Sequence, residues 1–412
     1  MMNRRLIFLL ALLLLGAVRQ IGKDDRPSLL RPGLRLYAYV TNAGEGSVSV
    51  VDLVSLETRA TIPVGPSPSG IRAHPTRDEI WGVSTAGGFV WVIDARSEQV
   101  AARIEVGSQP FAVDFSPDGK RAYVAASGSD AVVAIDCARR VVTGRTRVGR
   151  RPWIARVTPN GRLLVVPNRD DNTVTLLRVA ETTQVNADAE SLAHIATVPV
   201  APRPEQVVVL PENDKAFISA AGGETSSSRA SSQREPSSSR AVSQRENTAK
   251  ATRQVSIVDL KRPALIANLP LPATPADLVL DPKDSKLLVP SPESHGLTII
   301  DTWRNEVEHF LLVGSSPSRG VVTASGDTLY LTDAEAGNVI PVDIGLRRVR
   351  PGTRPTPTGQ RPGVCRLTPG EDLLLVVSED SDALAVIRTR TQSLITMVPV
   401  GSRPTDLAVK VF

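Results

Sequence analysis

Residues 110–136 read PFAVDFSPDGKRAYVAASGSDAVVAID, and this stretch decides the fold. It opens on a Pro-x-x-hydrophobic-x-hydrophobic-x-Pro frame at 110–117, turns at Asp118-Gly119, and continues through two further apolar runs, 122–126 and 131–136. An Asp-Gly pair between hydrophobic runs is a hairpin signal. A fourth run, VVTGRTRV at 141–148, follows. Each run is short, rich in Val, Ile or Ala, and bounded by Gly, Ser, Asp or Arg, which suits strands and not helices. The stretch therefore predicts a four-stranded antiparallel sheet, with strands a, b, c and d in chain order.

The frame recurs about every 42 residues. It stands at 68–75 (PSGIRAHP), 110–117 (PFAVDFSP), 152–159 (PWIARVTP), 204–211 (PEQVVVLP), 275–282 (PADLVLDP), 317–324 (PSRGVVTA) and 362–369 (PGVCRLTP), and opens again at Pro404 (PTDLAVKVF), making eight copies. A repeat of this length implies stacked supersecondary units, and a small sheet with two apolar faces is unstable unless it stacks. The ends of the chain fit together. The first strand, 37–41, aligns with b and is followed by c (47–52, SVSVVD) and d (60–64, ATIPV), whereas the last, 405–412, is an a strand alone. Joining them completes an eighth sheet and closes a ring, which protects edges that would otherwise invite aggregation.

The strings YVTN (39–42), SVSVVD, PVG (63–65), PFAVDFSPDGKRAYVA and AVVAID closely resemble the YVTN-type β-propeller repeats of bacterial and archaeal extracytoplasmic proteins. The resemblance covers 37–412. It implies an all-β single propeller of eight four-stranded blades; family members often have seven, which is the alternative count. It specifies function only weakly, because propellers host many unrelated activities.

The 412 residues need no second domain, and with 4% aromatic residues the core is expected to be Val, Leu, Ile and Ala. At the N-terminus, Arg4 and Arg5 precede thirteen residues without a charge, 6–18. That pattern predicts a signal peptide or retained anchor over 1–20, followed by a linker over 21–36, and hence an extracytoplasmic protein. Cys137 follows strand c of the second copy and Cys365 lies in strand a of the seventh, too far apart round a ring to bond, so both are expected free and buried. The net charge of +5 is modest. Residues 221–253 duplicate SSSRASSQRE as SSSRAVSQRE, almost without large apolar residues, and are expected to be a disordered loop insertion in the fifth blade.

In a propeller the d–a and b–c loops share one face, and the a strands line the channel. On the loop face, Arg150, Arg151, Arg203, Arg361 and Arg403 stand in d–a loops opposite b–c acids such as Asp130, Asp170, Asp171, Glu379, Asp380 and Asp382. Mutual neutralisation is the simplest expectation. Within strand a, positions three and five after the first Pro are apolar, and positions two, four and six are expected to lean towards the channel. Position two supplies Asp277, Arg319 and Asp406, position four Arg72, Asp114, Arg156 and Arg366, and position six His74, Asp281 and Lys410. They are read either as Arg–Asp pairs in a wet channel or as an anion site, since the guanidinium fork suits carboxylate and phosphate. Asp52, Asp94, Asp136, Asp259, Asp301 and Asp343, recurring at the end of strand c, are read as turn caps.

The four histidines show no ligand spacing, and no phosphate loop, nucleophile elbow or zinc-protease motif is present, so no metal or cofactor is expected. The sequence points first to a non-enzymatic, monomeric binding or scaffold propeller engaging an unidentified protein or anionic ligand through its loop face and channel. A lactonase-like hydrolase using the charged channel is the second expectation. Binding of nucleic acid or another polyanion through the loop-face arginines is the third.

Overall fold

The computed structural model describes residues 35–179, 192–220, 253–283, 285–350 and 352–412. Residues 1–20, most of the linker 21–36, and residues 221–252 of the insertion lie outside the described residues.

The Val- and Ala-rich runs form eight antiparallel blades, each with strands a to d from the channel outwards. Blade 1 combines both ends of the chain: Pro404–Val411 is strand a, and Leu36–Asn42, Ser47–Asp52 and Glu57–Pro63 are b, c and d. In it Tyr39 pairs with Ala408 and Val40 with Leu407. Blades 2 to 8 span 68–105, 110–147, 156–199, 204–270, 279–312, 317–357 and 362–399. Strand a shortens to Arg156–Val157 in blade 4 and Val279–Leu280 in blade 6.

The period-2 alternation explains how the blades stack. In strand b of blade 3, Ala122, Val124 and Ala126 pack on blade 2, while Tyr123 and Ala125 pack on blade 4. Every junction is filled this way, including the one between blades 8 and 1, where Leu373, Leu375 and Val377 meet Leu36, Ala38 and Val40. The core is thus eight thin apolar layers arranged radially. Gly70 shows how close the a strands run: it takes φ +51°, and a Cβ there would collide with the Phe111 carbonyl of the next blade.

All six strand-c aspartates cap the c–d turns. Asp94 Oδ1 accepts from the amides of Arg96 (3.0 Å) and Ser97 (2.9 Å), and Asp259 Oδ1 from those of Lys261 and Arg262 (both 2.8 Å). Asp52, Asp136, Asp301 and Asp343 do the same. Blade 7 departs from the repeat: its outer edge is two short strands, Arg348–Val349 and Thr356–Pro357, both paired with Asn338–Asp343.

Candidate functional site: a charged channel

The eight a strands surround a cavity of about 540 Å³. Its most complete ring is position two after the first Pro, where all eight residues line the space: Gly70, Ala112, Ile154, Gln206, Asp277, Arg319, Val364 and Asp406. Position four adds Arg72, Arg156 and Arg366. Strand alternation sends these two positions inwards while position three (Ile71, Val113, Leu407) is buried between blades.

Position six behaves otherwise. In blades 2 and 6 strand a has ended by then and the chain has entered the a–b hairpin, so His74 and Asp281 point into turns and not into the channel; Lys410 is still within the longer strand a of blade 1 but its ammonium is engaged by blade 2. The His74 amide donates to Glu79 O, and the ring is buried, its Nε2 2.9 Å from Gly119 O and its Nδ1 accepting from the amides of Thr76 and Arg77. Asp281 Oδ1 accepts from the Lys283 amide at 3.1 Å. Lys410 Nζ donates to the carbonyls of His74 (3.1 Å) and Arg77 (2.5 Å). The expectation that these three face the channel is corrected accordingly.

Three of the four channel arginines have a carboxylate partner. Arg156 Nη1 donates to Asp114 Oδ2 at 3.1 Å, and the same oxygen accepts from the Val157 amide. Arg366 donates through Nη2 to Asp406 Oδ1 at 3.2 Å and through Nε to Leu407 O at 2.7 Å. Arg319 lies 3.6 Å from Asp277, whose two oxygens accept from the amides of Leu278 (3.0 Å) and Gly320 (3.2 Å). Burial pushes the Asp277 carboxyl up, against the pull of Arg319 and those amides.

Arg72 is the exception. Among the described residues its guanidinium has no hydrogen-bond or ion-pair partner, although it lines the cavity. Burial, and then repulsion from Arg156 and Arg366, lowers it from its ordinary value to about 10, with Asp114 and Asp406 pulling the other way. It stays charged at neutral pH.

Sequence reasoning missed the group at position one. Phe111 and Trp153 stand there in adjacent blades and stack, with centroids 4.1 Å apart and planes at 25°. Arg169, just after strand b of blade 4, places Cζ 4.8 Å from the Trp153 centroid and pairs with Glu205 at 2.6 Å. Burial raises the Glu205 carboxyl, with Arg169 the largest opposing influence. The signal was legible in PFAV and PWIA: two aromatics at one repeat position in consecutive blades must be neighbours.

The loop-face cations are largely neutralised. Arg151 pairs with Asp170 (3.6 Å), Arg361 with Glu379 (3.4 Å) and Asp380 (3.6 Å), and Arg403 with Glu379 (3.7 Å). Arg150 pairs with Asp171 at 2.5 Å. Arg151, Arg203 and Arg403 also take positive φ and donate their amides to Asp130, Asn172 and Asp382 at 2.9, 2.9 and 2.8 Å. The two cysteines are free and buried, Cys137 in blade 3 and Cys365 in blade 8.

No family model matches the chain, and no curated protein matches it. Solved structures of the same fold are similar. The dihydro-heme d1 dehydrogenase NirN, solved in complex with DHE, is 14% identical with a TM-score of 0.68, over 91% of this chain and 74% of that one. Apo AztD from Citrobacter koseri is 11% identical with a TM-score of 0.61, over 92% and 98%. Kuenenia stuttgartiensis hydrazine synthase is 20% identical with a TM-score of 0.56, over 78% and 95%. At such identities the likeness concerns the propeller fold alone.

Proposed function

We propose that this chain is a binding propeller of the extracytoplasmic space, of the YVTN-repeat type, that takes an anion into its central channel from the loop face. One observation carries this reading: the Arg72 guanidinium faces the cavity with no partner among the described residues. A partly buried guanidinium without a counter-charge is costly to keep, and a ligand carboxylate or phosphate would supply the missing acceptor. The address rests on Arg4, Arg5 and the uncharged run 6–18.

Binding is favoured over hydrolysis because the channel acids are already engaged. Asp114, Asp277 and Asp406 each accept from a backbone amide and lie beside a guanidinium. A general base needs a free lone pair directed at a substrate proton. Polyanion binding loses support because four of the five loop-face arginines, Arg150, Arg151, Arg361 and Arg403, pair with neighbouring acids.

Thermal melting of the full chain with acetate, sulfate or phosphate at constant ionic strength tests this reading. The melting temperature should rise with at least one anion, and Arg72→Gln should abolish the rise. An equal rise in the variant would place the anion elsewhere and reject the channel.

A further inference from the structure

The geometry points to a narrower ligand for this same channel: a small monocarboxylate with an apolar, preferably aromatic, body. This rests on the anion reading above and adds the charge and shape of what is bound. The cavity wall is divided. Blades 3 to 5 contribute most of its exposed apolar surface, Phe111, Ala112, Trp153, Ile154 and Val208, with Arg156, Glu205 and Gln206 among them. The charged arc runs from Asp277 of blade 6 through Arg319, Arg366 and Asp406 to Arg72 of blade 2. Arg72 therefore stands at the seam, in the blade next to Phe111. The two a strands are in direct contact there, Ser69 Oγ donating to Phe111 O at 3.2 Å.

Charge sets the valence. Among the described residues, the guanidiniums lining the cavity or paired to its lining are Arg72, Arg156, Arg169, Arg319 and Arg366, and their carboxylates are Asp114, Glu205, Asp277 and Asp406. One positive charge is left over. A monoanion cancels it. A dianion would leave an uncompensated negative charge beside Asp114 and Asp406, or would have to break an existing pair. The apolar arc then selects the body. An aromatic or branched body would exchange water for Phe111 and Ile154, which are only partly buried. A cavity of about 540 Å³ is of the size that encloses small organic ligands.

Calorimetric titration of the full chain at constant ionic strength distinguishes the possibilities, with acetate, phenylacetate, phthalate and inorganic phosphate as probes. Phenylacetate should bind about tenfold more tightly than acetate, the worth of one aromatic contact with its buried area. Arg72→Gln should weaken phenylacetate about tenfold or more, as loss of a charge-assisted contact does, with Arg72→Lys intermediate. Phe111→Ala should bring the affinity for phenylacetate down towards that for acetate. Melting curves of each variant exclude unfolding as the cause. Equal affinity for acetate and phenylacetate, or preference for phthalate or phosphate, with dependence on Arg72 retained, would overturn the monocarboxylate inference and leave the anion channel standing. Failure of all four probes to bind, or binding indifferent to Arg72→Gln, would overturn both.

Discussion

Arg366 in blade 8 donates to Asp406 in blade 1 at 3.2 Å, and the Asp406 amide is in turn 3.0 Å from Thr41 Oγ1. The pair joins blade 8 to blade 1 across the channel wall, on a strand that is itself paired with the N-terminal strand. Removing one member leaves a charge facing the cavity alone. Asp406→Asn should destabilise the fold by about 1–2 kcal/mol, less than the roughly 3–5 kcal/mol of a fully buried broken pair, because the Arg366 side chain is 35% exposed. Urea unfolding checks this. The variant should also bind acetate more tightly, since a second guanidinium becomes available; weaker binding would contradict the proposed electrostatics.

What the sequence revealed follows from what repeats. The eight Pro frames gave blade number and strand order because every blade must meet the same packing demand. Period-2 alternation placed Asp277, Arg319 and Asp406 on the channel for the same reason. It failed at His74 and Asp281, where the chain has already left strand a, so alternation no longer governs side-chain direction. Pairing was beyond it altogether. That Arg156, Arg319 and Arg366 find carboxylates while Arg72 finds none among the described residues depends on which blades are neighbours and on position along the channel. Phe111 and Trp153 escaped notice because hydrophobic residues in a strand are usually core, yet these two are only partly buried.

The turn caps should contribute evenly round the ring. Asp259→Ala removes acceptance from the amides of Lys261 and Arg262 at an exposed turn, and should cost about 1 kcal/mol. Asp343→Ala, which loses the Leu346 amide, should cost a similar amount, and the double variant about the sum, since distant sites are additive. Chemical denaturation of the three variants measures this. A cost near zero for both would show that water replaces the carboxylate without loss.

The thiols should be silent in the native protein. Burial pushes both Cys137 and Cys365 up to about 12, from an ordinary 9.0. The thiolate is the reactive form. Ellman's reagent at mildly alkaline pH should therefore label neither until the chain is unfolded in guanidinium, when both should react. Rapid labelling of Cys365 in the native state would mean that the channel wall opens, since its side chain packs between blades 7 and 8 behind that wall and only 5% of the residue is exposed.

His74 should make the blade 2–blade 3 junction sensitive to acid. Its Nδ1 accepts from two amides while Nε2 lies 2.9 Å from Gly119 O, an arrangement that only a neutral ring satisfies. Burial is the largest influence and lowers it from 6.5; Glu79 and the Gly119 carbonyl oppose, and Arg77 and Lys410 add to the lowering. The unfolded chain therefore takes up the proton at higher pH than the folded one. Stability from this residue is complete above the unfolded value and is lost as pH falls below it, by up to about 1.4 kcal/mol per unit until the folded value is reached. His74→Gln keeps one donor and one acceptor without the titration. Unfolding free energies measured between about pH 5 and 7 should fall more steeply on acidification in the parent than in this variant. Parallel slopes would show that carboxylates elsewhere account for the acid sensitivity.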